Sequence, residues 1–431
     1  MERLPGFRDF YPEPLPQPGL WSANARQYIF NTWRSLARRY GFHEYDGPPL
    51  EPLELFTTKS GEEIVGQLYH FTDKSERQVS LRPEMTPTLA RMIAACERGY
   101  KKPFKWFALP QLFRYERQQK GRLREHFQFN ADIVGEKDPA ADAELIALLI
   151  DTLRSFGLTH EDFVIRLSSR NAWQVFFRHR HGAATQEYAF YQIIDKLERE
   201  APEQSNEKLE RLGFSLAEVS SFIAQGEPTA ELTAILANLA ARGLRDYVKV
   251  DYHVIRGLAY YTGVVFEAFD RKGEFRAIAG GGRYDNLVKL ISQGRVDLPA
   301  LGFGMGDVVL LELLRARALL PKFTAALDVF CLVEDENLRV EFLKVIHDLR
   351  AAGLAVDYSL TAAKPDRQFK RAQELNATYT LKLERDPAGM LLARIKNLEA
   401  RQESVVLPAE VVTWLKGRQG QEGFRGDPAK A

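Results

Sequence analysis

Residues Phe107 to Gly135 read FALPQLFRYERQQKGRLREHFQFNADIVG. Aromatic and aliphatic residues alternate with polar ones on both sides of the turn Gln119-Lys120-Gly121, and that period of two predicts two strands joined by a basic loop. In the second strand Phe127, Phe129, Ala131 and Ile133 fall on one face, and Gln128, Asn130 and Asp132 on the other. One face packs and the other is left to bind. A solvated sheet usually carries Lys, Thr or Glu at such positions. Amide and carboxylate groups beside Arg114, Arg117, Lys120, Arg122 and Arg124 suit a polyanion held over a hairpin. A charged surface hairpin suits the same residues equally.

Working outward, the 431 residues are 45% hydrophobic, enough for more than one core, which predicts two or three domains. The net charge of +1 gives no global field to steer nucleic acid, so any RNA contact must be local. The two cysteines, Cys96 and Cys331, are far apart in sequence and predict neither a disulfide framework nor a metal site; both read as reduced core thiols. No apolar signal core and no run of membrane-spanning length is found, and the expectation is a cytoplasmic protein without a membrane partner.

Upstream, Gly6 to Pro12 reads as a loop. A helix is predicted over about Leu20 to Tyr40, with Ala25, Ile29, Trp33, Leu36 and Tyr40 on one stripe and Gly41 as its stop. It enters an extended stretch at Pro48. Pro83 and Pro87 bracket Glu84 and Thr86, fixing a rigid turn before a helix that holds Leu89 and Ile93. Taken alone, Glu84 also reads as a helix-start carboxylate favoured by the macrodipole. Downstream, Asp138-Pro139 predicts a helix start, and Phe163 to Leu167 a buried strand. Residues 170–245 read as helical, interrupted by the hydrophilic Glu200 to Asn206.

From Val254 to Phe269 the pattern returns to β character, and Phe275 to Leu287 follows with Gly280, Gly281 and Gly282 in one run. Leu301 to Leu314 predicts a small-residue strand entering a helix capped by Asp307. Its glycines Gly302, Gly304 and Gly306 allow close backbone approach to a ligand. A dinucleotide-binding turn competes, but the glycine spacing is wrong for it. Beyond a linker near Leu320, strands alternating with helices predict a small, mostly parallel α/β domain. Arg367, Lys370 and Arg371 share one turn of its basic helix, which fits phosphate contacts or a solvated face. The tail from Gly417 reads as disordered.

These stretches together resemble the class II aminoacyl-tRNA synthetases. Phe113-Arg114-Tyr115-Glu116-Arg117 with Gln119-Lys120-Gly121-Arg122 is similar to motif 2 of the histidine-specific members, the helix and Pro48 to motif 1, and Val254 to Phe269 with Phe275 to Leu287 to the two histidine signatures. Leu301 to Leu314 resembles motif 3 with one departure: the pattern's glutamate and arginine are Val308 and Val309 here. Two smaller departures are Ala259, at an often acidic position, and Gln118, where proline is frequent.

The resemblance implies an α+β catalytic domain with a mixed, largely antiparallel sheet, a helical insertion and a small C-terminal α/β domain. The expected boundaries are 1–169 and 246–320 for the catalytic core, 170–245 for the insertion, 325–416 for an anticodon-binding-like domain and 417–431 for the tail. It implies activation of L-histidine with ATP to histidyl-adenylate and transfer to the 3′ end of tRNA(His) by a homodimer, with Mg2+ carried by the ATP substrate and no other cofactor. Arg114 and Arg256 are the implied catalytic residues. Glu84, Thr86, Gln128, Asp132, Arg256, Tyr260, Tyr261 and Tyr284 are implied for histidine; Arg114, Glu116, Arg122, Gly304 and Gly306 for ATP; Arg117, Lys120, Arg367 and Lys370 for tRNA. Arg117 or Arg276 is expected to replace the missing motif 3 cation. Val309 also suits a non-catalytic histidine-binding paralogue such as the regulatory subunit of ATP phosphoribosyltransferase, and a non-catalytic tRNA-binding sensor is a third reading.

Overall fold

The computed structural model describes residues 2–57, 66–116, 121–180, 184–256, 260–323 and 327–418. The chain divides into two compact units, one of Met1–Phe10 with Ala25–Pro321 and the other of Tyr11–Asn24 with Lys322–Ala431.

The first unit is built on a nine-stranded sheet. Its order runs Val248–Val250, Phe163–Ser169, Val264–Asp270, Ala279–Arg283, Ala300–Gly306, Glu125–Val134, Phe104–Ala108 and His43–Glu44, with Gln111–Phe113 also paired to Glu125–Val134. The two outermost pairings are parallel and the rest antiparallel. The sheet is therefore mixed and largely antiparallel, as the sequence implies. The alternation read along Glu125–Val134 is present: Phe129, Ala131 and Ile133 are buried on one face. Trp33, on the helix Ala23–Arg39, stacks on Phe129 at 5.7 Å, so the apolar stripe of that helix covers this face. The first strand of the expected hairpin is broken in two at Leu109-Pro110, because proline has no N–H to give the ladder. Its carbonyl is still used, accepting from the Gln128 N–H at 3.1 Å.

Two other expectations need correction. Among the described residues of Val254 to Phe269, strand begins at Val264 and runs as Val264–Asp270; the carbonyls of Ile255, Arg256 and Tyr261 are taken by a side chain instead of a ladder. The interruption expected over Glu200 to Asn206 lies earlier: the chain leaves the helix Glu187–Lys196 and re-enters one at Pro202–Glu210, with proline in its first turn, where a missing N–H costs nothing. Pro202–Glu210 is one of five α-helices among the described residues of 170–245, with Arg170–His179, Glu187–Lys196, Leu216–Gln225 and Ala230–Ala241. Trp173, Phe176, Phe177, Phe190, Phe214 and Phe222 pack ring against ring among them.

The second unit carries a five-stranded sheet in the order Val356–Tyr358, Val329–Leu332, Tyr379–Arg385, Leu391–Asn397, Glu403–Val406. The first two pairings are parallel and the last two antiparallel, so the sheet is mixed and not mostly parallel. Val329 and Cys331 point into one core with Phe342 and Leu349, while Phe330 and Leu332 point into another with Ala372 and Ala377. A strand buried on both faces reads as a continuous apolar run, as VFCL does. The disordered-tail reading falls, from residue 419 onward, outside the described residues.

Candidate active site

The polar face of Glu125–Val134 opens onto a narrow slot in the first unit, lined by Gln128, Asn130 and Asp132 together with Glu84, Thr86, Tyr260, Tyr261 and Tyr284. Glycines on the neighbouring strand make this possible. Gly302 pairs with Asp132 and Gly304 with Asn130 in the ladder. A Cβ on Gly302 would lie 1.8 Å from Asp132 Oδ1, and one on Gly304 2.5 Å from the Gln128 amide. The close approach that the sequence assigned to a ligand is thus made by the protein's own polar side chains.

Two tyrosine–carboxylate pairs shape the slot. The Tyr284 hydroxyl donates to Asp132 Oδ1 at 2.5 Å, and the Tyr260 hydroxyl to Glu84 Oε2 at 2.5 Å. Burial pushes the Asp132 carboxyl up to about 7, although the Tyr284 bond pulls it down. Burial also raises Tyr260, Tyr261 and Tyr284, so these hydroxyls stay protonated donors. Glu84 precedes the helix Thr86–Cys96, whose start has no side-chain cap. Its carboxylate therefore serves the slot and not the helix end. Arg82, donating to Gly47 O at 2.6 Å and Gln111 O at 3.1 Å, pins the turn that carries it.

Arg114 and Arg256 also line the slot, and both line a second cavity of about 720 Å3. Arg114, Gln128, Arg256, Gly280 and Gly304 are common to the two. Arg114 is braced by a bond from its Nε to Pro83 O at 3.0 Å. Arg256 has a backbone φ of +61°, a left-handed conformation that costs a non-glycine residue roughly 1–2 kcal/mol. Its guanidinium pairs with Glu267 and lies over Gly280, where an added Cβ would come within 2.5 Å of Nη1. Burial opposes its charge, and Tyr261 and Glu267 together outweigh that, raising it above the usual value.

The larger cavity is cationic. Glu116, Arg122, Gly304 and Gly306 line it, with Arg276 from the bend before the strand Ala279–Arg283 and Asp195 and Arg199 from the helical segment. Arg122 pairs with Glu116. Its pKa is nevertheless lowered, because burial and the charges of Arg276 and Arg114 outweigh that partner. An anion entering here would relieve this repulsion. His126 stands on the same wall beside Val308 and Val309. Burial and the positive charges of Arg114, Arg8 and Arg122 push its imidazole down to about 3, so it presents a neutral ring. The missing motif 3 arginine leaves an apolar surface: a Cβ on Gly121 would touch Val309 at 3.3 Å.

Asp307 is not the cap that its position suggested. Gly306 holds the N-cap of Asp307–Ala316. The Asp307 carboxylate accepts from Arg8 Nη1 at 2.8 Å and from the Phe127 N–H at 3.0 Å, and Arg8 Nε reaches Glu125 at 2.6 Å. A buried arginine thus ties the N-terminal segment to both the long strand and the helix behind the cavity.

All eight residues expected at the histidine position therefore line one slot, and the five expected at ATP line the adjoining cavity. Arg117 and Lys120, with the departures Gln118 and Ala259, lie outside the described residues. Arg367 and Lys370 belong to the second unit, exposed on its helix Pro365–Glu374. Sequence reasoning missed Glu267, Arg8, His126, Asp195 and Arg199. Only Glu267, on the same strand face as Val265 and Phe269, carries a local signal, a lone carboxylate on an apolar face. Among the described residues, no group of three or more His, Cys, Asp or Glu side chains could hold a metal ion, and no helix is long and apolar enough to cross a membrane.

Residues 19–307 match the family model described as histidyl-tRNA synthetase. The histidine–tRNA ligase of Opitutus terrae is 44% identical over 433 residues, covering 95% of this chain and 97% of that protein. Among solved structures, the histidyl-tRNA synthetase of Nostoc superposes with a TM-score of 0.73 at 24% identity, covering 95% of this chain and 98% of that one. A Bacillus halodurans structure described as an ATP phosphoribosyltransferase regulatory subunit/histidyl-tRNA synthetase gives 0.68 at 22% identity, covering 86% and 96%. At these identities the two structures share the fold and do not distinguish a ligase from a regulatory subunit.

Proposed function

This chain belongs to the histidyl-tRNA synthetase family, and on that premise we propose how its residues carry out the ligase reaction. The enzyme activates L-histidine with ATP to histidyl-adenylate, releases diphosphate, and transfers the histidyl group to the 3′-terminal ribose of tRNA(His). The substrate carboxylate is already a nucleophile, so activation needs no general base. It needs the two reactants held in line and the charge that builds on the α-phosphate neutralised.

The single observation that carries the assignment is that Arg114 and Arg256 stand where the small polar slot meets the cationic cavity. Histidine occupies the slot, and ATP the cavity. A guanidinium at the junction can grip a carboxylate oxygen and a phosphoryl oxygen at once, and its charge does not titrate away. Glu267 holds one edge of Arg256 and fixes the plane of the fork. Glu84 receives the substrate ammonium, with Thr86, Gln128 and Tyr260 beside it. A neutral imidazole has one donor and one acceptor, and Asp132, Tyr261 and Tyr284 supply matching groups. Arg122 and Glu116 serve the nucleotide, Gly304 seats Gln128 beside it, Gly306 leaves it room, and Arg276 supplies positive charge in place of the residue that is Val309 here.

Magnesium accompanies the ATP phosphates. Glu116 and Glu267, two carboxylates that line the cavity, are each already paired with an arginine, which suits an ion held by the phosphates and its own water. Residues 170–245 act as the insertion. Residues 325–416 act as the anticodon-binding module, with Arg367 and Lys370 set against tRNA phosphates and Arg117 and Lys120 set near the acceptor end. The working form is a cytoplasmic homodimer assembled through the motif 1 helix.

The test is the Arg256→Ala variant in histidine-dependent ATP–diphosphate exchange. Exchange is expected to vanish while histidine binding stays measurable by calorimetry; unchanged exchange would remove Arg256 from the mechanism. Val309 favours a second reading, a histidine-binding regulatory paralogue. The cationic cavity around Arg114, Arg122 and Arg276 opposes it, because a histidine sensor has no use for a polyanion site.

A further inference from the structure

Arg170 lies outside the slot and the larger cavity just described. It follows the strand Phe163–Ser169 as the first residue of the helix Arg170–His179 and is only 5% exposed. Its guanidinium donates to three carbonyls of one irregular segment: Nε to Ile255 O at 3.1 Å, Nη2 to Arg256 O at 2.5 Å and Nη1 to Tyr261 O at 3.2 Å. Its own N–H donates to Gly263 O at 2.9 Å. One residue therefore grips the backbone on both sides of the stretch that carries Arg256 and Tyr261.

That segment needs such a grip. Its described residues before Val264 belong to no strand, and Arg256 sits at a φ of +61°, a conformation that persists only where its surroundings hold it. The grip is itself enclosed. The ring of Tyr191, from the helix Glu187–Lys196, lies 4.8 Å from the Arg170 guanidinium carbon. The Tyr191 hydroxyl donates to Glu187 at 2.6 Å, and Gln174 donates to the same carboxylate oxygen at 2.9 Å. Burial lowers the Arg170 pKa, so charge here is held against a solvation cost, which a purely packing role would not require.

We propose that Arg170 is a positioning residue of this site: by holding the carbonyls of Ile255, Arg256 and Tyr261 on one guanidinium, it sets the direction in which the Arg256 guanidinium and the Tyr261 ring face the slot. The inference rests on the ligase reading for its kinetic consequence and on the slot alone for its binding consequence. A planar fork with five donors spans three carbonyls, whereas an ammonium on a flexible stem cannot match all three directions. Arg170→Lys therefore separates geometry from charge.

The experiment compares the full-length wild type, Arg170→Lys and Arg170→Ala. Melting temperature, histidine affinity by calorimetry, and kcat and KM in ATP–diphosphate exchange are measured for each. Arg170→Lys is expected to remain folded, keep its KM for ATP within about twofold, weaken histidine binding about tenfold and lose about 100-fold in kcat, the scale of an ångström-level misplacement. Ethylguanidinium is expected to restore part of the Arg170→Ala activity saturably, and ethylamine is not. Unchanged histidine affinity and kcat in a folded Arg170→Lys protein would overturn the proposal, as would equal rescue by ethylguanidinium and ethylamine. If the wild type binds histidine but shows no exchange, the ligase reading fails, and the histidine affinity of Arg170→Lys alone then upholds or overturns the role of Arg170.

Discussion

Replacing Gly302 by alanine adds one methyl group, and its consequence can be worked from the ladder. The new Cβ would lie 1.8 Å from Asp132 Oδ1, whereas real Cβ atoms essentially never approach a heavy atom within 3.0 Å. The Asp132 carboxylate must therefore retreat by about 1 Å, a step on the scale that costs on the order of 100-fold in catalysis when it misplaces a substrate-binding group. It cannot retreat and keep the 2.5 Å bond from Tyr284. A buried hydroxyl and carboxyl left unsatisfied cost about 1–3 kcal/mol of stability as well. The backbone at Gly302 is an ordinary strand position paired with Asp132 and Gly282, so the effect would come from the side chain it meets. Steady-state ATP–diphosphate exchange with varied histidine is the assay. The expected result is a fall in kcat/KM for histidine of about 100-fold with KM for ATP little changed. A folded Gly302→Ala protein with wild-type kcat/KM for histidine would refute the claim that this glycine exists to seat Asp132.

Arg8→Met leaves the Glu125 and Asp307 carboxylates buried without their cation, and breaking such a pair costs about 3–5 kcal/mol. Thermal unfolding should show a drop of roughly 5–10 °C, and a drop of a degree or less would show that the network is not buried in solution. The Asp132 carboxyl titrates near 7 when folded and at 3.8 when exposed, so the folded state binds more protons between those values. Stability then falls as pH rises through that window, by on the order of 4 kcal/mol, and levels off above it. In denaturant titrations without substrate, Asp132→Asn should gain on the wild type steadily from pH 4 to pH 7; a constant difference would place the Asp132 pKa in the ordinary range.

Much of the site can be read directly from local pattern. The two-residue period from Phe127 to Ile133 separates packing residues from Gln128, Asn130 and Asp132, and the prolines around Glu84 mark a turn too rigid for an ordinary surface loop. These are properties of neighbours in sequence. The features that escaped are set by partners far away: Arg8 meets residues 117 and 299 positions distant, and Arg170 meets carbonyls 85 to 91 positions on. Asp307 looked like a helix cap because carboxylates usually are at such a position, and Arg8 claims it instead. The glycines of Ala300–Gly306 announced a close approach, but periodicity says nothing of register, and register decided that Asp132 and Gln128 are what approaches. In the second unit, alternation of strands with helices stops after Tyr379–Arg385, and the antiparallel end of the sheet has no helix to signal it.

Histidine-dependent ATP–diphosphate exchange by the purified protein without tRNA is the decisive measurement. Robust exchange is expected that requires histidine and is not supported by other amino acids, showing that an adenylate forms with valine at position 309. Tight histidine binding with no exchange would contradict the ligase reading and turn the assignment to a regulatory paralogue.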